Sequence, residues 1–231
     1  MVGRRRQVDC FNFMKYKIHS NNDIKKELLN LSLKNSVNEG LFDFENDTAF
    51  VGAKYFKKIL SAELVFDQKN EKIHSKSLPK VMEAQIYIKN NSLVIMGSPT
   101  SCQFLEDYLH ANSSIIFKPV PFKFEEIINS FKIFDYNIYK LTFYNVNFLS
   151  SRLPSITLEF KNNHDAFNTI KKLNAKPMEM VLKLNFDEDT VKINIVLDSG
   201  FISVEPSNVY LLEFEKIKES CLNLIEENKN V

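Results

Sequence analysis

Residues 178–205 read MEMVLKLNFDEDTVKINIVLDSGFISVE, and the spacing of their apolar side chains decides the fold class. Met178, Met180, Leu182, Leu184 and Phe186 alternate with Glu179, Val181, Lys183 and Asn185. After Asp187, Glu188 and Asp189 the alternation resumes, with Val191, Ile193, Ile195 and Leu197 set against Thr190, Lys192, Asn194 and Val196. A strand points successive side chains to opposite faces, so each run predicts a strand with one buried face. The acidic connector and Asp198-Ser199-Gly200 are turn formers, which predicts three consecutive antiparallel strands.

The same pattern occurs earlier in the chain. Leu60, Ala62, Leu64 and Phe66 alternate with Ser61, Glu63, Val65 and Asp67; Ala84, Ile86 and Ile88 alternate with Gln85, Tyr87 and Lys89; residues 93–96 follow. Ser98 and Pro99 then suit the N-cap and first turn of a helix over 99–110. Strand, strand, strand and helix recur in that order over 178–186, 191–197, 201–204 and 208–225, where Pro206-Ser207 stands in the place of Ser98-Pro99. The expected fold is α+β: two strand-rich halves, mainly antiparallel sheets with helices packed on one face. The shared βββα order reads either as an internal duplication or as convergence, since residue identity between the units is slight. Pro119-Val120-Pro121 marks the boundary, giving halves 1–118 and 122–231, as two domains or one continuous domain.

Between these landmarks, residues 10–18 predict a strand with Met14, Tyr16 and Ile18 on one face. Phe11, Phe13, Lys15 and Lys17 lie on the other. A helix is expected over 23–35, the least regular stretch over 36–54 with room for a short strand around 49–52, and a loop over the polar run 68–77. Beyond the boundary the pattern gives a helix through Phe124, Ile127, Ile128 and Phe131. Strands at 139–149 and 156–161 are joined by a Ser-Ser-Arg-Leu-Pro turn, and a helix covers 164–173.

Composition narrows the function classes. With 231 residues, 44% hydrophobic and 26% charged, the chain has ample material for a core. Its formal charge of +1 gives no global field for nucleic acid or membrane. The distribution is uneven, however: residues 1–60 carry 11 Lys/Arg against 7 Asp/Glu, and the remainder carries 19 against 22. Only 5 glycines are present, too few to suggest nucleotide folds built on glycine-rich loops. The 20 phenylalanines, with many Asn and Lys, reflect AT-rich coding. Cys10, Cys102 and Cys221 are widely spaced and form no CxxC or Cys/His cluster, so neither disulfides nor a metal is expected. No apolar run approaches the ~18 residues that span a bilayer, and no secretory h-region follows the N-terminus. The cytoplasm is the expected location.

Four patterns bear on chemistry. GSPTS at 97–101 is an anion-site candidate through Ser98, Thr100 and Ser101, because a helix N-terminus offers free N–H groups. The competing explanation is an ordinary cap, and no lysine follows at P-loop spacing. Glu159-Phe160-Lys161 has the Glu-x-Lys spacing of metal-dependent nucleases, but 139–149 supplies no acidic ligand. His19, His74, His110 and His164 lie apart from one another. The strongest binding pattern is basic: Arg4, Arg5 and Arg6 precede Lys15 and Lys17, with Lys25 and Lys26 on the next helix. Arginine and lysine clamp phosphates and exposed aromatics stack on bases, so these seven are the candidate nucleic-acid-binding residues for DNA or RNA. The competing explanation is that Phe11 and Phe13 are core residues of a central strand and that the three arginines are an ordinary terminal arm.

No catalytic set and no cofactor loop emerges. The leading expectation is a non-catalytic interaction protein, a subunit of a larger cytoplasmic assembly with a protein partner or a second copy. Nucleic-acid binding through the basic N-terminal region comes next, and an enzyme acting on a phosphate-containing substrate third.

Overall fold

The computed structural model describes residues 11–19, 24–46, 51–67, 72–89, 91–148, 151–186, 189–205 and 211–224. In chain order the elements are β1 (Phe11–Ile18), α1 (Ile24–Ser32), β2 (Glu39–Asn46), β3 (Val51–Asp67), β4 (Lys72–Lys89), β5 (Ser92–Gly97), α2 (Pro99–Asn112) and β6 (Phe117–Pro119). There follow α3 (Phe124–Phe131), β7 (Asp135–Phe148), β8 (Ser151–Glu159), α4 (Asn163–Leu173), β9 (Glu179–Asn185), β10 (Thr190–Val196), β11 (Phe201–Val204) and α5 (Leu211–Asn223). This is an α+β fold with one antiparallel sheet, in the order β2-β3-β4-β5-β1-β11-β10-β9-β7-β8, and β6 also pairs with β1.

The first strand in sequence lies at the centre in space. Phe13 pairs with Met96 of β5 on one side and with Ile202 of β11 on the other. Alternation therefore sends β1 side chains into two cores on opposite faces. Tyr16 and Ile18 join Leu93, Ile95, Leu28 of α1 and Leu105 of α2. Phe13 joins Ile202, Ile193, Ile127 of α3 and Ile217 of α5. Each fully buried side chain of this size contributes about 1.5–3 kcal/mol. Each half thus carries its helices on one face, and the two halves use opposite faces.

This arrangement orders the two βββα units. β5 and β11 both run antiparallel to β1, on its two sides. α2 packs on one face and α5 on the other. A two-fold axis running along β1 exchanges sides and faces together, so β3-β4-β5-α2 and β9-β10-β11-α5 occupy equivalent positions.

The three strands of 178–205 stand as their alternation predicts: Met180, Leu182, Leu184, Val191, Ile193, Ile195, Ile202 and Val204 are buried. Lys192 is exposed, and Lys183 is half-buried with its ammonium 3.4 Å from the Tyr139 ring centre. Three local expectations are corrected. Residues 36–54 are more regular than expected where they are described: Glu39–Asn46 form β2 and Val51 opens β3, with a bulge near Asp43 (φ 52°) that interrupts the alternation. Of the Ser-Ser-Arg-Leu-Pro stretch, the described residues 151–154 are not a turn but the start of β8. As an edge strand it accommodates Pro154 where no donor is needed, opposite Asn145 in a left-handed conformation (φ 53°). Finally, the loop expected over 68–77 gives way to strand at Lys72, and β3 and β4 pair continuously from Val51↔Ile88 to Asp67↔Lys72.

Candidate interaction surface

The β3–β4 pairing is longer than the sheet body that holds it. β2 accompanies β3 only to Lys57, and β5 accompanies β4 only to Ala84. Beyond those points, Lys58–Asp67 and 72–81 form a two-stranded ribbon, about 33 Å long at ~3.3 Å per residue. Two strands alone are marginal in water, so such a ribbon generally needs another layer to cover one face.

One face of the ribbon is apolar. By register and alternation it carries Leu60, Ala62, Leu64 and Phe66 of β3, beside Val81, Pro79 and Ile73 of β4. Exposure is 76% for Leu60, 79% for Leu64, 57% for Phe66, 67% for Ile73 and 51% for Val81. The alternation of residues 60–67 had predicted a strand with a buried face. The strand is there and the face is not buried, because no helix or further strand lies against it among the described residues. The opposite face carries Lys76 and Lys80, both exposed. At the root, Phe42 and Phe56 continue the apolar face edge-to-face, with ring centres 5.8 Å apart. A cleft of about 650 Å³ opens there between the strands and α5, lined by Phe42, Lys54, Glu83, Phe214 and Lys218 among others.

Of the seven basic residues singled out from sequence, the side chains of Lys15, Lys17 and Lys26 are described. Lys15 is 1% exposed, and its ammonium donates to the Leu224 carbonyl at 2.6 Å while lying 5.7 Å from the Phe122 ring centre. Carbonyls at a helix C-terminus lack intrahelical partners and form the negative end of the dipole, so Lys15 ties the central strand to the end of α5. It is therefore withdrawn from solvent, where phosphate contact would require it. Alternation placed Lys15 beside Lys17, but β1 is covered on both faces where Lys15 sits. Lys17 is exposed and lies directly across from exposed Lys118 of β6. Lys26 is exposed on α1. Arg4, Arg5, Arg6, Cys10 and the Lys25 side chain lie outside the described residues.

Two of the three GSPTS hydroxyls, those of Ser98 and Ser101, are engaged with each other. Ser98 caps α2, its Oγ accepting from the Ser101 N–H at 3.2 Å and lying 2.6 Å from the Ser101 Oγ. Ser101 is buried and Thr100 exposed. A serine cap of this kind is worth about 1 kcal/mol to the helix.

Other polar groups have structural partners. Tyr16 donates to Glu106 at 2.6 Å, and burial raises both the phenol and the carboxyl above their ordinary values. Glu159, of the Glu-x-Lys stretch, accepts from Tyr139 at 3.2 Å and pairs with Lys140 at 3.1 Å; these bonds hold its carboxyl below the usual value. His110 stacks on Phe117 and His164 bonds Asn168. Cys102 and Cys221 are buried on helix faces, and burial pushes the Cys221 thiol up to about 12. Among the described residues no group of three or more His, Cys, Asp or Glu could hold a metal. No helix among them is long and apolar enough to cross a membrane.

A second cleft, of about 500 Å³, lies between Phe122, Phe124, Ile170, Pro177, Met178 and Leu197. Its charged residues include Lys123, which is exposed and pairs with Glu126 at 3.4 Å. Compared with known proteins, the chain matches no family model and no curated protein. The functional reading therefore rests on its own residues.

Proposed function

We propose that this chain is a non-catalytic interaction protein, a subunit of a larger cytoplasmic assembly, and that the β3–β4 ribbon is its docking arm. The observation that carries this reading is the apolar face running from Leu60 to Phe66. Soluble monomers rarely expose contiguous apolar patches beyond a few hundred Å² without using them. From Leu60 to Phe66 this face carries no charged side chain; Lys58 and Glu83 stand at its base, and Lys76 and Lys80 on the other face. The test is purification from the native host of wild type and of a triple variant, Leu60→Ser, Leu64→Ser and Phe66→Ser. Proteins that the wild type retains should be lost from the variant, while its thermal unfolding stays within about 2 °C, as for exposed positions. An unchanged set of bound proteins would remove the arm from the reading.

Nucleic-acid binding is the second reading, favoured by one observation. Lys17 and Lys118 face each other across neighbouring strands, both exposed. Like charges directly opposite are mutually unfavourable, and an anion would relieve that repulsion. If Arg4, Arg5 and Arg6 add phosphate contacts, changing all three to alanine flattens the slope of log affinity against log salt by roughly two to three units. Fluorescence anisotropy with a labelled duplex and a labelled single strand, at several salt concentrations, measures this. An identical slope would place the nucleic-acid surface elsewhere. The third reading, an enzyme acting on a phosphate-containing substrate, has only Ser98, Thr100 and Ser101 to draw on, and the Ser98–Ser101 bonding favours a capping role for that pair.

A further inference from the structure

We infer that the partner of the arm is a second copy of this chain, and that two arms close on each other through their apolar faces. The inference rests on the docking-arm reading and names its occupant. Three features of the ribbon point to a self-complementary contact.

The first is area. A fully exposed large side chain offers roughly 150–200 Å². At the fractions given above, Leu60, Leu64, Phe66, Ile73 and Val81 present about 500–650 Å² on one arm. Ala62, Pro79 and Phe42 extend the same face. With these the face approaches the ~800 Å² per partner of a standard specific interface.

The second is shape. Along β3 the face is a ridge of Leu60, Leu64 and Phe66, while along β4 it falls to Ser75 and Ser77, small residues opposite Leu64 and Ala62. A two-fold axis parallel to the strands lays β3 of each copy over β4 of the other. Leu64 of each copy then fills the hollow above Ser75 of its mate. An isologous contact of this kind uses one patch twice and closes at two copies, leaving no apolar face to propagate.

The third is charge. On this face the ribbon itself carries Lys58 and, at its root, Glu83 as its charged residues, of opposite sign. The lysines that would repel a second copy, Lys76 and Lys80, stand on the other face. Face-to-face contact also leaves the outer backbone edges of both ribbons in water, so pairing strands no backbone donor or acceptor.

Sedimentation velocity of the full chain over a range of concentrations tests this, with Leu64→Glu and Leu64→Met beside the wild type. The wild type and Leu64→Met should sediment as dimers. Leu64→Glu should weaken association about a hundredfold or more, because it sets two carboxylates in a dry, central position. Circular dichroism should be unchanged for all three, since the Leu64 side chain is exposed in the single chain. A wild type that stays monomeric at the highest concentration, or a Leu64→Glu variant that dimerises like wild type, overturns the inference. Either result leaves the docking-arm reading standing if the Leu60, Leu64 and Phe66 triple variant still loses its native partners. That reading falls only if those partners are kept.

Discussion

Replacing Ile193 by aspartate is expected to unfold the C-terminal half of the sheet. Ile193 is fully buried in β10, paired with Leu182 on one side and Val204 on the other. The substitution removes the apolar contact of the side chain and puts an unpaired carboxylate into a core that contains no cation to meet it at that position. Either the charge is desolvated or the carboxyl takes a proton at neutral pH, and both cost free energy. The combined loss is about 5 kcal/mol or more, a large part of the stability of an ordinary domain. Ile193→Val should cost only about 1 kcal/mol, and Lys192→Ala, one residue away on the exposed face, still less. Thermal unfolding followed by circular dichroism should rank the three in that order. If Ile193→Asp melts like wild type, the register of β9, β10 and β11 is wrong.

Gly200→Ala is the second large effect, and it probes the join between the halves. Gly200 follows β10 with φ at 64°, a conformation that costs an L side chain free energy. A Cβ added there would run into the Val120 carbonyl, and it would stand 3.2 Å from the Lys15 carbonyl. Those two neighbours are themselves bonded: the Lys15 N–H donates to the Gly200 carbonyl, and the Val120 N–H donates to the Lys15 carbonyl, each at 3.0 Å. One turn, the central strand and the segment after β6 therefore lock at a single point. Left-handed strain plus displaced backbone should remove at least about 3 kcal/mol, or roughly 6–12 °C in melting temperature for a chain of this length. Ser199→Ala in the same turn should move it by no more than about 2 °C, since its hydroxyl makes one long bond, to Val196 at 3.5 Å. Equal melting of Gly200→Ala and Ser199→Ala would show that the lock does not exist.

Alternation told which side chains share a face, and where a helix covers that face it also told what is buried. Residues 178–205 are the clear instance: of the apolar set named there, all but the end residues Met178 and Phe186 are buried. The β3 strand shows the limit: Leu60, Leu64 and Phe66 alternate just as regularly, yet nothing in a period of two records whether a layer lies above them. The extension of β4 through Lys72, Ser75 and Ser77 was illegible for a related reason. A ribbon with neither face packed needs no apolar pattern, so its polar half looks like a loop. For β1 the difficulty is reversed. Covered on both faces where Lys15 sits, it buries a lysine that alternation places on one face with Lys17. The pairing of Lys15 with the Leu224 carbonyl joins positions some two hundred residues apart, beyond the reach of any local spacing.

The central claim, that the apolar face of the arm is a docking face closed by a second copy, is tested most directly by amide hydrogen exchange. Peptides covering 58–67 and 72–81 can be followed at two protein concentrations about a hundredfold apart, chosen to span the association equilibrium. Slow exchange is expected in both peptides at the high concentration and faster exchange at the low one, with β9, β10 and β11 unchanged. Equally fast exchange of the arm at both concentrations would contradict it.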